Sequence, residues 1–212
     1  MNVVLALAAF SRAHSASASV REAGLFALEF SEQELGQRAT PVWLFDAEPV
    51  RIPPPRGETP EQWADRWPAP DGGAQGRHEG LFQDRRQLAP VLRAVAEVCA
   101  ASDDRPTVAL VVLTGGPRDE QAALEVLRET AGRPVLFVFL TDDQGHLGFL
   151  DGLDRQPGEP ADVVVIRGGV WSSAWARLRR TRGIRRAVSH WLRGLPLALV
   201  EPPEAAAETA DV

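Results

Sequence analysis

Apolar residues follow two rhythms along this chain. Asn2–Ala9, Pro41–Asp46, Thr107–Leu113, Pro134–Leu140 and Asp162–Ile166 are near-continuous apolar runs. Such runs, without polar alternation, are expected of strands buried on both faces. Glu48–Ile52 reads as a short strand beside the second run. The segments between them have helical spacing. Ser19-Val20-Arg21-Glu22 has the form of a capping box. It predicts a helix carrying Val20, Leu25, Leu28 and Leu35 and closed by Gly36. Asp84–Gln87 reads as the cap of a helix with Leu88, Val91, Leu92, Val95, Val98 and Cys99 inside. Asp119 is placed to cap a helix carrying Ala122, Ala123, Val126 and Leu127. A short helix is expected near Leu147–Leu153, and a longer one over Ser172–Leu195, broken or bent at Gly183. Trp171, Trp175, Ile184, Val188, Trp191 and Leu192 would pack on the sheet, with the arginines opposite.

Strands alternating with helices at this spacing imply an α/β fold. The expected form is a doubly wound, mostly parallel six-stranded sheet with helices on both faces. Residues 1–195 form a single domain on this reading. Pro53–Gly80 holds six prolines and five glycines and reads as a surface insertion pinned by Trp63 and Trp67. Residues 196–212 read as a flexible acidic tail. The apolar start followed by Ala13–Ala18 has some features of a signal peptide. No positive charge precedes it, however, and a buried first strand is the better reading. The longest apolar run, Val3–Phe10, is too short for a membrane-spanning helix.

Charge sharpens this picture. All 23 basic residues are arginine, and the formal net charge is −6. Val163–Val200 contains eight arginines and no acid, whereas Glu201–Val212 contains four acids and no base. Residues 1–162 carry a net −10. The basic stretch is expected to dock on acid: the tail, the acidic body or a partner.

Several chemistries are excluded. The absence of lysine removes Schiff-base and Walker-type phosphate chemistry. Cys99 is the only cysteine, which leaves no disulfide framework or cysteine zinc site. No Gly-x-Gly-x-x-Gly or Gly-x-Ser-x-Gly follows a strand. His14, His78, His146 and His190 are scattered and read as solvated or locally bonded. Asp142-Asp143 and Gly115-Gly116 lie at strand ends, where ligands of parallel sheets bind.

The order of elements resembles a von Willebrand factor A (vWA) domain of the bacterial tellurium-resistance type. The resemblance is carried by Leu-Ala-Ala-Phe-Ser-Arg (7–12), Val-Trp-Leu-Phe-Asp (42–46), Leu-Ala-Pro-Val-Leu (88–92) and Leu-Val-Val-Leu-Thr-Gly-Gly (110–116). The strand over 134–140 leads to Gly-Phe-Leu-Asp-Gly-Leu-Asp (148–154), the most specific of these segments, and His-Trp-Leu (190–192) resembles the family's last helix. The resemblance implies a vWA/Rossmann-like fold and a metal-ion-dependent adhesion site of hard oxygen ligands. Its two aspartates map onto Ala8 and Gly115, its serines onto Phe10 and Arg12, and its loop threonine near Arg86. None of these positions keeps an oxygen ligand, and residues 1–21 contain no acid.

The expectation is a cytoplasmic, non-catalytic interaction or scaffold module with a degenerate metal site. It has no metal and no cofactor, and belongs to a stress-response or conflict system. Its partners are proteins engaged through carboxylates or an acidic surface, with Arg12, Arg85, Arg86, Arg179, Arg182 and Arg186 as contact candidates. One alternative is a small-molecule or nucleotide enzyme using the turns near Gly115 and Asp142. Another is a nucleic-acid binder through Arg177–Arg186, which the acidic body disfavours.

Overall fold

A computed structural model describes residues 1–8, 14–36, 40–52, 59, 62, 86–102, 105–113, 115–141, 149, 162–168 and 173–196, with backbone alone for 14–20. The elements run β1 (Asn2–Ala8), α1 (His14–Leu35), β2 (Val42–Phe45), β3 (Pro49–Ile52), α2 (Ala89–Ala100) and β4 (Thr107–Leu113). They continue with α3 (Glu120–Glu129), β5 (Val135–Thr141), β6 (Val163–Arg167) and α4 (Ala174–Gly194). The six strands form one sheet in the order β3-β2-β1-β4-β5-β6. All neighbouring pairs are parallel except β2–β3, which is antiparallel at the edge. This is the doubly wound α/β architecture expected from the sequence.

The apolar runs divide by parity, because successive side chains of a strand point to opposite faces. Val3, Leu5, Leu7, Leu110, Val112, Val138 and Leu140 pack with Phe26 and Phe30 of α1 and Ile184, Val188 and Trp191 of α4. Val4, Ala6, Ala8, Ala109, Val111, Phe137 and Phe139 pack with Val91, Leu92 and Val95 of α2 and Ala123, Val126 and Leu127 of α3. Each central strand therefore serves two cores. The buried polar residues of these strands stand at strand ends, where Thr107 Oγ1 can donate to the Arg105 carbonyl at 2.9 Å.

Several local expectations need correction. α1 begins at His14, so Ser19–Glu22 lies inside the helix rather than at its start. Gly36, at φ +67°, does end it. α2 begins at Ala89 with Leu88 as N-cap and no side-chain cap of its own. α4 is not broken at Gly183, where glycine has another use. A Cβ there would stand 3.2 Å from Ile166 Cδ1, so glycine lets the helix lie close on β6.

The packing register of α4 also differs from the sequence reading. Its inward positions are Ala176, Arg180, Ile184, Val188 and Trp191. Trp175 is 65% exposed. It stands one helical turn before Arg179, on the outward side. Arg180 is fully buried instead. Its guanidinium donates to the Gly168 carbonyl just beyond β6. A Cβ at Gly168 would come within 3.1 Å of Arg180 Nε, so any side chain there crowds the guanidinium.

Two of the remaining arginines meet acids on the neighbouring helix. Arg177 pairs with Glu29 and Arg185 with Glu34 of α1. Arg177 also lies over the Phe26 ring, 5.9 Å from its centroid. Exposed pairs of this kind contribute roughly 0.2–1 kcal/mol each. Truncating a buried Trp costs about 3–5 kcal/mol. Trp191 and its apolar neighbours therefore hold α4 down, and the ion pairs fix its rotation.

In the insertion, Thr59 and Gln62 are described. Thr59 N–H donates to Gln62 Oε1 at 3.0 Å and Gln62 N–H to Thr59 Oγ1 at 3.2 Å, a reciprocal cap. Trp63, Trp67, the helix expected near 147–153 (apart from Phe149), Trp171 and residues 197–212 lie outside the described residues.

Asp162, just before β6, accepts the Trp191 indole N–H at 2.9 Å. Burial raises its carboxyl above the ordinary value, against the lowering effect of hydrogen bonds from Trp191 and the Gly132 backbone. A raised folded-state value means the folded protein holds this proton to higher pH than the unfolded chain. The contribution is present at low pH and is lost as pH rises through the folded value. Asp162→Asn keeps an acceptor for Trp191 without the buried charge. It is expected to raise the melting temperature at neutral pH, with the gain shrinking as pH falls below the carboxylate range. Denaturation across pH checks this; a gain that grows toward acid would contradict it.

Candidate functional site at the strand ends

The sheet order changes direction at β1, whose neighbours are β2 and β4. In open parallel sheets the crevice at such a point, at the carboxyl ends of the strands, is where ligands sit. Ala8 ends β1 there, fully buried among Phe45, Leu88 and Leu113. Gly115 follows β4 and is half-buried. Phe10, Arg12, Arg85, Thr114, Asp142 and Asp143 lie outside the described residues.

Asp46 is fully buried at the end of β2. Its Oδ1 accepts the Arg86 N–H at 2.8 Å, and its carbonyl accepts the Gln87 N–H at 2.6 Å. The Arg86 carbonyl in turn accepts the Arg118 N–H at 2.8 Å. These bonds hold Arg86 in the left-handed region, at φ +53°. That conformation costs a non-glycine residue about 1 kcal/mol or more, and persists only where the surroundings over-determine it.

Asp119 completes the arrangement, in a role the sequence reading did not give it. It is the N-cap residue of α3, its carbonyl accepting the Ala123 N–H at 2.9 Å, but its side chain makes no cap bond to that helix. Its carboxylate crosses to α2 instead. Oδ1 accepts the Leu88 N–H at 2.7 Å and Oδ2 the Ala89 N–H at 2.9 Å. The first N–H groups of a helix lack intrahelical partners and carry partial positive charge. Leu88 has no side chain to satisfy them and Pro90 has no N–H to offer. Both carboxylate oxygens of Asp119 are thereby engaged by backbone.

The strand-end loops are thus tied together by Asp46 and Asp119, and Ala8 at the end of β1 is fully buried. Among the mapped positions, Ala8, Arg86 and Gly115 converge on this edge; Arg179, Arg182 and Arg186 lie apart from it, exposed on α4. Asp46 was missed as a site residue because it ends an apolar run. The signal available was a lone acid at the carboxyl end of a buried strand. Among the described residues, no cluster of three or more His, Cys, Asp or Glu side chains is placed to hold a metal ion. No described helix is long and apolar enough to cross a membrane.

Gly115 has open space where a side chain would go, with no atom within 4 Å of an added Cβ, and its φ is not positive. Gly115→Ala is therefore expected to raise stability by about 0.4–1 kcal/mol, through the unfolded chain's lost freedom. Chemical denaturation measures this; a clear loss would show that the turn needs glycine.

No protein-family model matches the chain, and no curated protein matches it in sequence. Similarity appears among solved structures. One is a von Willebrand factor type A protein from Catenulispora acidiphila, with TM-score 0.52 and 9% identity, covering 86% of this chain and 41% of that one. Another is the manganese-loaded TRAP protein of Plasmodium vivax, with TM-score 0.54 and 14% identity, covering 86% of this chain and 73% of that one. The chain spans less than half the length of the Catenulispora protein. Sheet order, helices on both faces and these two matches together give the chain the von Willebrand factor A fold.

Proposed function

We propose that this chain is a non-catalytic protein-interaction module that uses the vWA fold without a divalent cation. The observation that carries the reading is the fate of the strand-end oxygens. Ala8 and Gly115 present no side-chain oxygen, and both oxygens of Asp119 are bonded to the start of α2. A small hard cation needs one or two carboxylates to offset its dehydration. Freeing Asp119 for that purpose would leave two helix N–H groups unbonded. The Plasmodium protein is manganese-loaded; among the described strand-end residues of this chain, Ala8 and Gly115 offer such an ion no side-chain oxygen and both Asp119 oxygens are already engaged.

On this reading the strand-end edge recognises a partner's carboxylates through Arg12, Arg85 and Arg86, whose guanidinium forks suit bidentate contact. The sequence Gly-Phe-Leu-Asp-Gly-Leu-Asp (148–154) supports assignment to the tellurium-resistance type, in a cytoplasmic bacterial stress-response or conflict system.

The test is capture of partners by the full chain in magnesium and again in excess EDTA, read by mass spectrometry. The same specific partners are expected in both. A partner retained only with magnesium would overturn the proposal. Asp119 separates the two roles further. Asp119→Ala is expected to cost roughly 2 kcal/mol as a lost cap with two charge-assisted bonds, a fall of about 5 °C in a chain of this size. Asp119→Asn should lose less, and neither shift should depend on magnesium. A magnesium-dependent difference between parent and Asp119→Asn would mark the carboxylate as a ligand.

A further inference from the structure

The outward face of α4 is independent of the strand-end edge. Trp175, Arg179, Arg182, Arg186 and Arg193 are all exposed and recur at steps of three and four, or their sum, so they form one stripe. The four stripe arginines make no ion pair among the described residues, unlike Arg177 and Arg185, which reach acids of α1. No acid lies anywhere on the helix. Like charges spaced this way repel one another along a helix.

The sequence supplies a matching set of acids directly beyond the helix. Glu201, Glu204, Glu208 and Asp211 also step by three, four and three, and no base lies among them. We propose that residues 201–212 dock antiparallel on the outward face of α4, their carboxylates pairing with Arg179, Arg182, Arg186 and Arg193. Reach is sufficient. The stripe from Arg179 to Arg193 is about 21 Å long at 1.5 Å per residue. A twelve-residue segment spans up to about 40 Å. Each exposed pair is weak alone. The short connection from Pro196 to Glu201 sets an effective concentration on the order of millimolar, so the pairs act together rather than singly.

Charge favours this occupant over nucleic acid. Glu34 of α1, held by Arg185, lies beside the stripe, and residues 1–162 carry a net −10. A polyphosphate would meet that field along its length, whereas a short tethered acidic segment fits the stripe alone. Docking also covers the basic face, so an acidic partner seeking it would have to displace the segment.

The experiment is paramagnetic broadening in the full chain. A nitroxide is attached at Ala210→Cys; Cys99, fully buried, is left unlabelled. At low salt the amides of Arg179–His190 should lose most of their intensity, while those of β4 and β5 stay sharp and report an intact fold. Broadening should disappear at about 1 M salt, where screening shortens to roughly 3 Å. It should also disappear with Arg179→Glu, Arg182→Glu and Arg186→Glu combined, and with Glu204→Gln, Glu208→Gln and Asp211→Asn combined. Three results would overturn the proposal. One is absence of broadening on α4 at low salt. Another is broadening that arises only between labelled and unlabelled copies, which would make a second molecule the occupant. The third is a single-stranded oligonucleotide binding these arginines in the parent chain while the nitroxide leaves them unaffected.

Discussion

The Asp119 carboxylate joins two helices that are separated in sequence by a whole strand. It leaves the β4–α3 turn and receives the free N–H groups at the start of α2. Much at this edge of the sheet depends on that choice. The start of α2 has no local cap. Arg86, just before it, sits in a costly backbone conformation held by Asp46 and Arg118. The turn after β4 is fixed by the same bonds. An acid that might have faced solvent, or an ion, is spent on holding two loops together.

Beneath that edge the sheet leaves little room for polar chemistry. Ala8 lies in the core shared by α2 and α3, and the strand residues of β4 and β5 are buried on both faces. Burial of this kind gives rigidity where the loops attach. It also pushes the chain's charge outward, to α4 and to the acidic surfaces. α4 shows the division of labour: Ile184, Val188 and Trp191 supply adhesion, Glu29 and Glu34 orient the helix, and the outward arginines remain to do something else.

The strands were legible because two-faced burial writes a continuous apolar run. Thr107–Leu113 matches its expected bounds, and the others shift by a residue or two. Helix starts were less legible. Ser19–Glu22 has the form of a cap, yet the helix continues back to His14. α2 is capped from thirty residues away, which no local pattern reveals. The register of α4 misled because a tryptophan is ordinarily the better core residue. Here Trp175 is outward and Arg180 inward, set by the Gly168 carbonyl that a buried guanidinium can reach. The strand-end site was half legible. That Ala8 and Gly115 carry no side-chain oxygen can be read from the letters, but the engagement of Asp46 and Asp119 depends on contacts between distant loops. Arg12 and Arg85 lie outside the described residues.

The central claim is that the strand ends of this vWA fold work without a cation. Its most direct test is titration of the isotopically labelled chain with Mn²⁺, following the amides of Ala8, Arg86, Leu88, Ala89 and Gly115. The account predicts no selective broadening of these signals relative to amides at the opposite end of the sheet. Selective, saturable broadening at micromolar Mn²⁺, reversed by excess Mg²⁺, would contradict it.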